Sequence, residues 1–289
     1  MNASGGRPCG GLWPDAWHRL MSNRGSVLAL CAVGCIVFLA IGGPFLNPNR
    51  VDALDWSHVA MSPGLNGGHW FGTDRLGRDL FVRTLQGTGV SLLIGLFATA
   101  VTLLIGIGYG AVAGFIGGRT DHLMMRGVEI LSGLPLIFFV ILVSVIFGRS
   151  VFLLFVSIGA VGWLTMARIV RGQTLSIRQR EFIEAAIATG AGTRRIIARH
   201  IVPNVIGPVI VYATLTVPQI ILLESFLSFL GLGVQEPRVS LGTLIADGVG
   251  DMESAPWLLI MPGGFLALLL LCFNIVGDGL RDALDAQRR

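Results

Sequence analysis

The sequence predicts an all-α polytopic membrane protein with six transmembrane helices. Three observations carry that expectation. First, 53% of the 289 residues are apolar, only 13% are charged, and mean hydropathy is +0.74. A soluble domain carries about 25% charge, and a water-soluble globule could not hide this much apolar surface. Second, apolar runs of about 20 residues, the length that crosses a bilayer, recur six times. Third, the arginines between those runs fall mainly on alternate sides, as membrane topology requires.

The basic residues also exclude functions. All 21 are arginine, with no lysine anywhere. A GxxxxGK[ST] phosphate loop and a Schiff-base lysine are therefore both absent, so any ATP used must bind another chain. The basic balance does not point to nucleic acid, because the arginines are dispersed between apolar stretches rather than gathered in a patch. The cysteines are Cys9, Cys31, Cys35 and Cys272. Cys31 and Cys35 share a helix face, and all four read as small packing residues rather than a metal or redox set. No Ser/His/Asp or Cys/His arrangement emerges, and the five histidines are scattered. No catalytic site and no metal site is expected.

The first span covers Gly25 to Leu46 and follows Arg7, Arg19 and Arg24. It is too long for a signal-peptide core, and Gly42-Gly43-Pro44 is a poor cleavage site. The second runs from about Gly89 to Ile116, and its Gly106, Gly110 and Gly114 recur every four residues, the spacing that lets helix backbones approach closely in lipid. The third covers about Met124 to Phe147 and the fourth Val151 to Val170. The fifth runs from about Val205 to Leu230 and the sixth from Trp257 to Val276. Pro135 and Pro218 fall inside the third and fifth, where each removes a backbone donor and kinks its helix, so broken helices around a pathway are expected.

Six spans put both termini on one side. With that side cytoplasmic, the inner segments hold 15 arginines and the outer ones 6. The expected organisation is a tail over 1–26, a first helix and outer loop over 27–88, a five-helix core over 89–277 with an inner loop at 171–204, and a tail over 278–289. Glu129 and Glu224 lie within spans, where a carboxylate is costly and faces protein or water. They are candidates either for lining a pathway or for bonds to neighbouring helices. Arg126, three residues before Glu129, offers it a local partner. Asp278, Arg281, Asp282 and Asp285 read as a solvated helical face.

The inner loop reads RGQTLSIRQREFIEAAIATGAGTRRIIARHIVPN from Arg171 to Asn204. Phe182, Ala185, Ala186 and Ala188-Thr189 place small and apolar groups on one helix face. Arg178, Arg180, Glu181 and Glu184 supply a charged one. Gly190-Ala191-Gly192 breaks the helix. A second short helix is expected from Thr193, as N-cap, to His200, ended by Pro203 and Asn204. A lipid-surface helix, a solvated loop and a docking helix for a soluble partner all fit this pattern.

Glu184-Ala185-Ala186, Gly190 and Ile201-Val202-Pro203 resemble the EAA signature of membrane subunits of binding-protein-dependent ABC importers, with Val202 in place of the usual leucine. Before the second span, His69-Trp70-Phe71-Gly72-Thr73-Asp74 with Leu76-Gly77-Arg78-Asp79 is similar to the HWxGTDxxGRD stretch of dipeptide, oligopeptide and nickel importer permeases. The segments Leu227–Val234 and Gly277–Asp282 resemble the same group, and the likeness, to its C-type subunit, spans roughly residues 20–285. Departures are Arg75 for an acidic residue, Glu236 for proline, Leu241 for tryptophan, and Gly87-Thr88-Gly89-Val90 for GARI.

The resemblance implies a type I ABC importer transmembrane fold in a bacterial inner membrane. The Glu184 helix would be a coupling helix seated in an ATPase subunit, with Glu184 accepting charged hydrogen bonds. The implied partners are a homologous second permease subunit, two ATPase subunits or domains holding ATP and Mg, an extracytoplasmic substrate-binding protein, and membrane lipid. This chain would carry no cofactor and no catalytic site. Gly72, Thr73, Asp74, Gly77, Arg78 and Asp79 would shape an outer loop or meet a partner there. The cargo would be dipeptides or oligopeptides, with nickel, a metal chelate or glutathione as alternatives. A stand-alone secondary transporter or channel is the alternative from another class.

Overall fold

The computed structural model describes residues 12–46, 53–64, 68–148 and 150–285. Cys9, Arg7 and the ends of both expected tails lie outside them. The elements are α1 (Leu12–Ser22), α2 (Arg24–Leu46), α3 (Leu80–Ile116), α4 (Gly118–Ser132), α5 (Leu136–Phe147), α6 (Val151–Arg178), α7 (Glu181–Ala188), α8 (Thr193–Ile196), a π-helical turn (Ile197–Ile201), α9 (Val202–Phe229), α10 (Leu241–Gly250) and α11 (Trp257–Asp285). Among the described residues there is no strand beyond an isolated bridge between Thr73 and Asp79.

Five helices are long and apolar enough to cross a membrane, and α4 with α5 adds a sixth if that bent pair is one span. The break expected at Pro135 in the third span is present: the chain bends by 80° between α4 and α5. Pro135 is the N-cap of α5 rather than an interior residue. Its missing N–H costs nothing there, whereas inside a helix it would break the ladder. The second span starts nine residues earlier than its apolar run, at Leu80, because Asp79 caps it by accepting a hydrogen bond from the Val82 N–H at 3.0 Å. The fourth span extends to Arg178 and the sixth to Asp285. Pro218 does lie inside α9, together with Pro208.

Two helices arise where only loops were expected. Within the 1–26 tail, α1 packs Leu20 and Met21 against Leu280, Ala283 and Leu284 of α11. In the loop after α9, Ser240 and Thr243 form a reciprocal capping box that starts α10. Asp278, Arg281 and Asp282 are exposed as expected, and the side chain of Asp285 lies outside the described residues.

The centre of the bundle is the α3–α6 pair. A Cβ on Gly106 would sit 2.6 Å from Met166 Cβ, and one on Gly114 would sit 2.8 Å from Thr174 Cβ. On Gly110 it would overlap the Ala167 carbonyl oxygen. From the other side, a Cβ on Gly159 would meet Val101 Cβ at 2.8 Å. The two backbones therefore touch along a glycine seam, the arrangement the four-residue spacing predicts. Cys31 and Cys35 are exposed and Cys272 is buried, all free. Leu28, Phe38, Phe97 and Leu104 are exposed on the outside of the bundle, as a lipid-facing belt requires.

Gly110→Val should destabilise the purified chain in detergent by about 1–3 kcal/mol, the usual cost of overpacking a tight contact. Gly108, two residues away on the opposite side of the helix with open space around it, is the comparison. Thermal unfolding should show Gly108→Val near the parent and Gly110→Val well below it; equal shifts would dissolve the seam.

Candidate functional site

At one end of the bundle, α7 packs against α3, α6 and α9. Ile183 is its buried anchor, packed in one apolar cluster with Ile177, Ile196, Ile201 and Val205. Ala186 fits against that cluster. The opposite face of α7 presents Glu181, Ala185 and Ala188, with Glu184 on its flank, all exposed. Small side chains on that face let another surface come close, while the carboxylates supply charge.

The turn after α7 is built by its backbone. The Gly190 N–H donates to the Ile187 carbonyl at 2.9 Å and the Ala191 N–H to the Ala186 carbonyl at 3.0 Å. Those are the two bonds of a Schellman motif, whose penultimate residue must be left-handed. Gly190 occupies it at φ +80°. The expected second helix is corrected in two respects. Thr193 is its first residue, and the N-cap is Gly192. Pro203 does not end it either. The chain passes from α8 through the π turn into α9 without a break, the Val202 N–H bonding back to the Ile197 carbonyl. Widening the turn to a five-residue bond accommodates the missing donor of Pro203, which is exposed at the start of α9. Ile201 is fully buried. Of the six signature residues, Ala186 and Ile201 thus belong to the seat, while Glu184, Ala185, Gly190 and Pro203 face outward.

Arg171 joins this end to α4. Its Nε donates to Asp121 Oδ1 at 2.5 Å and its Nη2 to Asp121 Oδ2 at 2.6 Å. Nothing in the sequence marks a pair fifty residues apart. Glu129 is exposed on α4 and paired with Arg126 Nη1 at 3.4 Å, the local partner that spacing offered.

Glu224 is fully buried in α9 and faces no open cavity. Ser228 and Ser91 hydroxyls donate to it at 2.7 and 2.8 Å, with Ser225 at 3.4 Å. The Leu241 N–H in turn reaches Ser91 Oγ at 3.3 Å. Of the two roles open for Glu224, the geometry supports the bond between helices: it knits α9 to α3 and to the start of α10.

At the outer end the motif from His69 to Asp79 forms a clasp. Asp74 Oδ1 accepts the Leu76 and Arg78 N–H groups, each at 2.9 Å, and Asp74 Oδ2 accepts Arg78 Nε at 2.6 Å. Arg83 is buried, with Asp74 Oδ2 3.5 Å from its Nη1. Asp79 both caps α3 and receives His69 Nδ1 at 2.7 Å. The Thr73 N–H donates to the Met61 carbonyl at 3.0 Å, and Trp257 Nε1 to the Thr73 carbonyl at 3.4 Å. Gly72 and Gly77 stand where any Cβ would overlap the carbonyls of Met61 and Asp55. Two of the departures find partners of their own. Arg75 pairs with Asp251, and Glu236 Oε1 accepts Arg78 Nη1 at 3.1 Å. Burial is the largest single influence on Arg78 and opposes its charge, but the hydrogen bonds and charges of Asp74 and Glu236 together outweigh it and hold its pKa above the usual value. Beside the clasp, Asp55 is held down to about 2 by the Ser57 hydroxyl and His58.

This arrangement defines a class: a multi-pass helical membrane component with an outer clasp at one end and a protruding, glycine-turned helix at the other. The family follows from likeness to known proteins. Residues 106–289 match the model of the binding-protein-dependent transport system inner membrane component, and residues 11–63 that of the N-terminal TM domain of oligopeptide transport permease C. The chain belongs to the family of binding-protein-dependent transport system inner membrane components. The oligopeptide transport system permease protein OppC of Haemophilus influenzae is 52% identical over 278 residues, covering 96% of this chain and 89% of that one. OppC of Escherichia coli K12 is also 52% identical, with 92% of its length covered. The dipeptide transport system permease protein DppC of Bacillus subtilis is 44% identical over 284 residues, covering 98% of this chain and 88% of that one. The solved MetNI methionine ABC transporter, inward facing, superposes with a TM-score of 0.58 at 19% identity, covering 71% of this chain and 96% of that one. That likeness concerns the fold.

Asp74→Ala should remove the carboxylate paired with the buried Arg83 guanidinium, leaving it only the weaker influence of Asp247 and Glu236, and cost about 3 kcal/mol. The exposed Glu253→Ala should stay within about 0.5 kcal/mol of the parent. Unfolding of both variants in detergent measures the difference; a stable Asp74→Ala would remove Asp74 from the clasp's centre.

Proposed function

We propose that the chain is the permease subunit of an ATP-driven importer of oligopeptides in a bacterial inner membrane. It pairs with a homologous second permease, two ATPase subunits that hold ATP and Mg, and an extracytoplasmic binding protein that supplies the cargo. Both termini and α7 are cytoplasmic, the clasp is extracytoplasmic, lipid surrounds the bundle, and this chain catalyses no reaction. Residues 89–277 form the pathway-bearing core, with 171–204 as its coupling loop. The observation that carries this reading is the 52% identity to an oligopeptide permease over nearly the whole chain. The outward face of α7 supports it. An anchored helix with exposed alanines and flanking glutamates fits a socket on a soluble partner, and the excess of inner arginines fits the orientation.

Mechanically, α7 is held by Ile183 on the permease side and would be held by its socket on the other. Closure of the ATPase pair on ATP then displaces α7, and α9 moves with it because Ile183 of α7 packs against Ile196, Ile201 and Val205 of the continuous α8–α9 path. The bundle is thereby switched between inward and outward access. Glu184 would accept charge-assisted hydrogen bonds from the socket.

Glu184→Arg places like charge against a basic socket. In proteoliposomes holding the whole complex, ATP-driven uptake of an oligopeptide should fall at least about tenfold, the cost of one charged hydrogen bond at the lower end. ATP hydrolysis by the complex should persist. Unchanged uptake would end the coupling role of Glu184.

A further inference from the structure

Where the outer loop meets the clasp, it carries a cluster of metal-ligating side chains that the coupling element does not use. One ligand atom each from Asp55, His58 and His69 lie within 4.8 Å of one another. His58 Nδ1 is 2.8 Å from Asp55 Oδ2, and the His58 and His69 ring centroids are 5.8 Å apart. His69 is buried and His58 exposed, so the group has one fixed wall and one adjustable side.

We propose that Asp55, His58 and His69 form a binding site for one divalent transition-metal ion of the zinc or nickel class. Three features carry the assignment beyond proximity. His69 Nδ1 is already taken by Asp79 Oδ2 at 2.7 Å, which leaves Nε2 as its free nitrogen. A carboxylate on the far nitrogen of an imidazole is the usual outer-shell support of a metal-bound histidine, fixing tautomer and ring orientation. Asp79 is itself anchored as the cap of α3, so the support is rigid. The Asp55 carboxylate is likewise oriented: Ser57 N–H donates to its Oδ1 at 3.0 Å, which directs Oδ2 toward His58.

The donor set selects the metal. Two imidazoles and one carboxylate suit zinc, nickel or copper, whereas calcium needs six to eight oxygens. In a tetrahedral site with bonds of about 2.0 Å, neighbouring ligand atoms stand about 3.3 Å apart. The Asp55–His58 pair at 2.8 Å is already closer than that and all three ligand atoms lie within 4.8 Å, so a small shift of the exposed His58 ring brings the set to a tetrahedral spacing. Three protein ligands leave a fourth position for water. Bound there, the ion would clip residues 55–58 to residue 69 across the outer loop. The cluster escapes a sequence search because its spacings of three and eleven residues match no metal motif.

The test uses the tag-free full-length chain, purified with its partner subunits and stripped with chelator, then titrated with zinc chloride. One equivalent should be retained through gel filtration, with a higher unfolding temperature. His58→Ala should weaken zinc binding about 100-fold, and Asp79→Asn, which preserves the cap, at least about tenfold. His122→Ala, on exposed α4, should bind as the parent does. No retained zinc, or retention unchanged by His58→Ala in a normally folded complex, overturns the site. Because the readout is metal content, its failure leaves the transport reading intact.

Discussion

The structure depends on backbone contact between α3 and α6. In lipid, apolar side chains gain little by leaving one apolar neighbour for another, so helices associate through close packing and hydrogen bonds. Gly106, Gly110 and Gly114 let α6 approach α3 until main chains touch. Every other element is placed from that pair. The outer clasp holds the start of α3, Glu224 ties its middle to α9, and α6 leads directly into α7. A wider seam would move α7 relative to the clasp at the other end of the bundle.

The polar chemistry is segregated along the bundle. Outside, charges are consumed internally: Asp74, Arg78, Arg83 and Glu236 form one linked group, and Arg75 closes on Asp251. Near the clasp end of α9, Glu224 is enclosed by hydroxyls. Inside, Arg180, Glu181, Glu184, Arg194, Arg195 and Arg199 are exposed. One end is thus folded upon itself and the other displays charge, which matches a scaffold at the first and a contact surface at the second.

Periodicity made much of this legible. Apolar length located the spans, the four-residue glycine spacing located the seam, and Gly190 located the turn, because each follows from local geometry. Boundaries moved where a cap or proline decided them, as with Asp79 and Pro135. Pro203 was misread as a stop because a proline at a helix start and one at a helix end look alike until the preceding turn is known. The pairs Asp121–Arg171, His69–Asp79 and Arg75–Asp251 were not legible, since a contact between distant residues leaves no periodic trace. Glu224 was conspicuous as a carboxylate in an apolar run, but its serine partners lie on three segments.

The unbroken path from Thr193 to Phe229 has a further consequence. It runs for 37 residues, about 55 Å at 1.5 Å per residue, more than a bilayer's apolar thickness. Such a member behaves as a lever arm whose fulcrum is set by the Ser91–Glu224 tie near its far end. Small rotations below would sweep wide arcs low in the bundle and barely disturb the upper rim. Pro208 and Pro218 lie along the arm as compliant joints, so the lower half can swing before the upper half yields.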